Sequence, residues 1–320
     1  MTQLQFGIGY TSSSTEAVLG IGYTLNEVQI GNSGKAYNNL PAQLVADSKI
    51  QSNAYSLWLN DLDASTGSIL FGGVDTDQYH GSLETLPVQM TDGEYAEFLI
   101  TLTEVAFGST VIASNQALAV LLDSGTSLTY LPDTMATAIY QAVGAQYDST
   151  EGEAYVPCSL TSNSTTLDFT FSSPTISVTM AELVIPISTS TGGSLTFPDG
   201  TAACLFGIAP AGTSSSVLGD TFLRSAYIVY DLSNNEISIA QTNFNATSSN
   251  VVEIGTGDAA VPGATLVSNA VTATSGIAGG TVVVGATGTS TSTGGADQTP
   301  PPAMLGAIAV LGAGIICAAL

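Results

Sequence analysis

Basic residues are nearly missing from this chain. Lys35, Lys49 and Arg224 stand against 26 acids, for a net charge of −23 over 320 residues. So few cations cannot neutralise a phosphate backbone, which excludes nucleic acid as a partner. Histidine occurs once, at His80, and cysteine three times, at Cys158, Cys204 and Cys317. These do not build a His cluster, a four-Cys site or a Cys/His zinc site, so neither metal nor cofactor is expected. His80 lies in a polar turn, and no Gly-x-Ser-x-Gly elbow occurs, so a Ser-His-Asp triad is not expected either. The stretch around Gly31, Gly34 and Lys35 fails as a phosphate loop, because Gln29 and Ala36 replace its first glycine and closing hydroxyl. The first ten residues lack the basic cluster and apolar core of a secretory signal. An acidic surface of this kind sheds self-repulsion as pH falls, which suits an acidic setting.

What is present is mostly strand pattern. Residues 4–9 read as a strand already in progress. A helix is predicted over 39–50, with Asn39 as its N-cap. Residues 54–59 and 67–73 read as a hairpin, and 97–105 as a further strand. A short helix follows over 132–143, opening with Pro132 and Asp133. Short alternating stretches between Tyr155 and Ile208 carry an all-β signature.

From 247 to 302 the composition turns to Ser, Thr, Gly, Ala and Val, and reads as a hydroxyl-rich stalk. Residues 303–320 are apolar to the last position. A membrane span normally carries bases on its cytoplasmic side, and none follows here. Small residues at Gly294, Gly295 and Ala296, a polar spacer and a terminal apolar run favour a glycolipid-anchor signal over a span. Asn163 and Asn245 begin glycosylation sequons, which count only if the chain is secreted.

The stretch that organises the rest is Ala119–Pro132. An apolar run delivers Asp123 into a turn containing Ser124, Gly125, Thr126 and Ser127. Burying a carboxylate is costly unless donors surround it, and this turn is rich in them. An ordinary Asx turn at a strand end has the same triplet. The longer pattern resembles the active-site loop of pepsin-like aspartic proteases, Asp-(Thr/Ser)-Gly-(Thr/Ser) after a hydrophobic strand. Two further stretches match that family: Leu70–Asp75 its Phe-Gly-Gly-x-Asp hairpin, and Leu218–Leu232 its closing strands, with Gly-Asp-x-Phe-Leu-Arg followed by Tyr-x-Val-Tyr-Asp-Leu.

The resemblance implies an all-β, bilobal fold and an endopeptidase in which two Asp carboxylates activate a water against a peptide bond. By resemblance Asp123 is one of the pair, Thr126 braces its loop against the counterpart, and Ser127 lines the substrate cleft with Gly125. Asp220 and Arg224 are expected as a structural charge pair. Secretion would place Cys158 and Cys204 in an oxidising compartment, where a disulfide is expected.

The Val-Leu-Gly at 217–219 packs beside the Asp123 loop in the family. An equivalent Val-Leu-Gly at 18–20 should serve a first loop, whose position would fall before Met1. No second Asp-(Thr/Ser)-Gly occurs. The expected organisation is therefore a remnant of a first lobe at 1–86, a catalytic lobe at 87–246, the stalk at 247–302 and the anchor signal at 303–320. That describes an N-terminally shortened, cell-surface, lipid-anchored peptidase acting on proteins or peptides, a monomer when complete. A non-catalytic surface glycoprotein that keeps one lobe is the alternative, and a homodimer contributing Asp123 twice is a third.

Overall fold

A computed structural model describes residues 4–8, 10–11, 18–188 and 193–277. The chain's regular elements are mostly strands, with few and short helices. Two short helices come first, α1 (Val28–Ser33) and α2 (Leu40–Ala46). The Asn39 side chain caps α2 by accepting from the Ala42 N–H at 3.3 Å. The helix stops at Ala46, short of the expected 50. The predicted hairpin is present as β1 (Ala54–Trp58) against β2 (Ser68–Phe71), with Tyr55 opposite Phe71. β3 (Gly73–Asp75) and β4 (Tyr79–Pro87) follow.

The expected strand over 97–105 is two strands, β5 (Leu99–Leu102) and β6 (Glu104–Phe107). The break falls at Thr103, whose backbone N–H and hydroxyl both donate to the Thr170 carbonyl. Then come β7 (Thr110–Ala113), β8 (Leu118–Leu122), β9 (Thr129–Leu131) and α3 (Asp133–Val143). Gly144 closes α3 in the left-handed region, at φ 75°.

The four-stranded sheets use β10 (Gln146–Asp148), β11 (Glu153–Pro157), β12 (Thr166–Thr170), β13 (Thr175–Thr179), β14 (Val184–Ile185) and β15 (Ala203–Phe206). They are ordered β10-β11-β15-β14 and β13-β12-β6-β7. The four-residue helix α4 (Met180–Leu183) links β13 to β14. Cys158 and Cys204 are joined as a disulfide, their Cα atoms 5.0 Å apart.

β16 (Ile208–Pro210) and β17 (Ser216–Leu218) complete a five-stranded sheet ordered β16-β9-β17-β8-β5. α5 (Asp220–Leu223) leads into β18 (Ala226–Asp231) and β19 (Glu236–Thr242). These last two strands pair with the hairpin and β4 in a six-stranded sheet, β2-β1-β18-β19-β4-β21, which includes β21 (Ala264–Leu266). Aromatic residues fasten that sheet to the main core: Tyr55 stacks on Tyr230 at 5.0 Å, and Phe98 meets Tyr230 at 4.6 Å.

Three expectations change. Residues 4–8 form no strand, and Phe6 and Ile8 are exposed. Val18 and Leu19 are exposed too, and burial begins only at Ile21, continuing through Tyr23. The stalk expected from 247 is not a stalk as far as 277, because β20 (Val251–Glu253) pairs with β3, and β21 runs parallel to β4. Ile254, Ala260, Val261 and Val267 there are buried. The composition suggested otherwise because small residues pack against a sheet without a visible period. The remainder of the expected stalk and the 303–320 run lie outside the described residues. Among the described residues no helix is long and apolar enough to cross a membrane.

Candidate active site

Every residue of β8 is buried, with β17 parallel on one side and β5 antiparallel on the other. A strand covered on both faces and edges has one way to expose a functional group, at its end. Asp123 stands there, 2% exposed. Its Oδ1 accepts from the Gly125 N–H at 2.9 Å, and its Oδ2 from the Thr126 hydroxyl at 2.6 Å. The Asp123 N–H donates to the Leu218 carbonyl at 3.2 Å, which locks the turn onto β17. Charge-assisted bonds of this kind offset the desolvation of a buried carboxylate.

The turn is held from the far side by the residues after β17. Asp220 N–H donates to the Thr126 carbonyl at 2.8 Å, and Thr221 N–H to the Ser127 carbonyl at 3.2 Å. Gly219 has to be glycine: a Cβ there would lie 2.2 Å from the Thr126 carbonyl oxygen and 2.3 Å from that of Leu128. Behind it the Thr221 hydroxyl donates to the Gly207 carbonyl at 2.8 Å and lies 3.0 Å from the Thr129 hydroxyl.

The Thr126 hydroxyl binds the carboxylate of its own loop, and the counterpart loop it was expected to brace against does not occur in residues 1–320. Ser127 is exposed beside it, and Gly125 is half-buried. The expected Asp220–Arg224 pair is also corrected. Arg224 Nε donates to Glu182 Oε2 at 2.5 Å, and Nη2 to the Glu182 carbonyl at 2.6 Å. The other Glu182 oxygen accepts from the Leu62 N–H at 3.3 Å, so one buried pair ties the turn before β2 to the second lobe. Burial pushes the Glu182 carboxyl upward, against the pull of Arg224.

Asp220 is the group that sequence reasoning placed but did not characterise. Its carboxyl is pushed up to about 7, chiefly by burial and further by Asp123, with Arg224 opposing. The half-buried Asp220 therefore stands beside Asp123 as a group that holds its proton into the neutral range.

Cys158 and Cys204 lie away from this turn, on the β11–β15 pairing. Both sequon asparagines are exposed. Asn163 Oδ1 accepts from the Thr165 N–H at 2.8 Å, whereas the Asn245 amide contacts Asp61. His80 is exposed on β4. Among the described residues no group of His, Cys, Asp and Glu is arranged to hold a metal. Two cavities, of about 580 and 510 Å³, flank Tyr147, and neither is lined by residues 123–127.

The class of protein follows from this turn, the sheet around it and comparison with known families. Residues 3–242 match the family described as eukaryotic aspartyl protease, and the chain belongs to that family. Among individual proteins, it is 55% identical to the probable aspartic-type endopeptidase opsB of Aspergillus oryzae, over 98% of this chain and 66% of that protein. Aspartic proteinase 3 of Saccharomyces cerevisiae is 37% identical over 78% of this chain and 45% of its own length. Secreted aspartic protease 8 of Candida albicans is 39% identical over 78% and 55%. The crystal structure of the aspartic proteinase from Irpex lacteus superposes with a TM-score of 0.54 at 25% identity, covering 68% of this chain and 64% of that one. The chain thus spans about two thirds or less of the relatives' lengths, at 66%, 45% and 55%.

Proposed function

We propose that this chain carries one half of the catalytic pair of a secreted, surface-anchored aspartic endopeptidase, with Asp123 as its carboxylate. The observation that carries this reading is the buried Asp123, held by the Gly125 N–H and the Thr126 hydroxyl at the end of β8. In such a pair one carboxylate takes a proton from water while the protonated partner polarises the peptide carbonyl. Two carboxylates that close resist double ionisation, so they share one proton. Gly125 and Ser127 border the substrate backbone, and proteins or peptides are the substrates. No cofactor enters this chemistry.

The partner loop is a second Asp-(Thr/Ser)-Gly, which residues 1–320 do not contain. A version extended upstream to include one should cleave protein at acidic pH, and Asp123→Asn should abolish that cleavage while leaving the fold intact. Undiminished cleavage by the Asp123→Asn protein would defeat the assignment. The alternative reading is a non-catalytic surface glycoprotein that keeps one lobe. It predicts no cleavage from the extended form.

Secretion is supported by the likeness to secreted aspartic protease 8 of Candida albicans and by the Cys158–Cys204 disulfide, and the apolar run at 303–320 supports an anchor. Glycosylation fits Asn163 better than Asn245, because the Asn245 amide nitrogen donates to Asp61. Mass spectrometry of membrane-released protein should find glycan at Asn163 and no peptide beyond about residue 297, the anchor pattern's cleavage region. An intact Cys317 peptide would replace the anchor by a membrane span.

A further inference from the structure

The six-stranded sheet is apolar on both faces. Successive side chains on a strand alternate, so Tyr55, Leu57, Ile228, Tyr230, Ile237 and Ile239 enter the main core. Ala54, Trp58, Leu83, Tyr227, Val229 and Ala240 face the other way, into a separate buried cluster. That second face needs a cover. It is closed by Ile254, Ala260 and Val261, which come from the segment after β19.

We propose that residues 249–277 are a clamp that closes the second face of this sheet and fastens the sheet to the strand bearing Asp123. The clamp begins on the hairpin motif. Asp75 accepts from the Ser249 hydroxyl at 2.6 Å and the Asn250 N–H at 2.8 Å, and Ile254 N–H donates to the Gly72 carbonyl at 2.8 Å. It next supplies β21, which covers the otherwise open edge of β4, and Val267 N–H donates to the Thr85 carbonyl at 2.9 Å.

From there it crosses to the second lobe. Val271 N–H donates to Ser172 Oγ at 2.9 Å, and Ala273 N–H to the buried Gln89 Oε1 at 2.9 Å. It ends against the start of β8, where Ala119 N–H donates to the Ser275 carbonyl at 2.8 Å and Thr274 N–H to the Ala117 carbonyl at 2.8 Å. Gly276 is required at this seat. Its φ is 76°, and a Cβ would lie 2.6 Å from the Ala119 carbonyl oxygen and 2.9 Å from a Leu118 methyl. Both ends of the clamp are therefore built for their partners, and movement of the sheet against the lobe has to peel it away. The folded unit reaches at least Ile277.

The test is hydrogen exchange and thermal unfolding of the full chain, its Gly276→Val variant and a Val261→Asp variant. In the full chain, the amides of Ile254, Val267 and Ala273 should exchange at least 100-fold slower than free peptide. Gly276→Val should speed exchange at 117–119 and 271–277 while 252–261 stays protected. Val261→Asp should instead loosen β1 and β18 and lower the midpoint by roughly 5–10 °C. Free-peptide exchange across 251–276 in the full chain would overturn the clamp. So would a Gly276→Val protein indistinguishable from the parent in both measurements.

Discussion

At Asp123 the local chemistry is two donors on two oxygens, and the second of them is the Thr126 hydroxyl at 2.6 Å. Thr126→Ala leaves a buried carboxylate oxygen without that bond. A hydrogen bond to a charged group contributes about 1.5–3 kcal/mol, so kcat/KM of the active extended form should drop by roughly 10- to 100-fold. Thr126→Ser should restore most of it. Steady-state kinetics on a peptide substrate check both.

Asp220 gives a pH signature. Its folded carboxyl titrates at about 7, above the unfolded value near pH 4. Between those values the folded protein holds a proton that the unfolded chain has released. Stability from this group is therefore greatest in acid and falls as pH rises towards 7. Asp220→Asn should flatten that decline, as seen in melting temperatures measured from pH 4 to 7.5. A variant that retains the parent's slope would contradict the assignment.

At the scale of elements, the Arg224–Glu182 pair and the disulfide each hold separate segments together. Arg224→Ala strands a Glu182 carboxyl that is buried at 4% side-chain exposure. Removing one partner of a buried pair costs about 3–5 kcal/mol, whereas replacing both by apolar groups is nearly neutral. The denaturation midpoint should fall sharply for Arg224→Ala and recover in Arg224→Met/Glu182→Leu. The Cys158–Cys204 bond closes a sequence separation of 46 residues. Replacing both cysteines by serine should cost about 2–5 kcal/mol, measured by denaturant unfolding.

The same elements show what could be read from sequence. The Asp123 turn was legible because an apolar run and an Asp-Ser-Gly-Thr pattern are both local. The hairpin and the α2 cap were legible for similar reasons, whereas the cysteine pair, 46 positions apart, followed from the expected oxidising compartment. Glu182 as the partner of Arg224 was not, since it lies 42 positions away with no periodic pattern joining them. The bond from the Thr126 hydroxyl to Asp123 could not be assigned beforehand because a turn's composition does not determine where each side chain points. The clamp escaped because its strands are three residues each and its cover, Ile254, Ala260 and Val261, has no period in the sequence.

On the scale of the whole molecule, the apolar residues at the N-terminal end stand outside the core. Phe6, Ile8, Tyr10 and Val18 are exposed at 78, 69, 95 and 58%, on the side of the chain that precedes the well-packed sheet. The most direct measurement is cleavage of a protein substrate at acidic pH, with and without pepstatin, by residues 1–320 and by a form extended through a second Asp-(Thr/Ser)-Gly loop. The account predicts negligible cleavage by the first and pepstatin-sensitive cleavage by the second. Strong, pepstatin-sensitive cleavage by residues 1–320 alone would contradict it and point to two copies of Asp123 meeting in a homodimer.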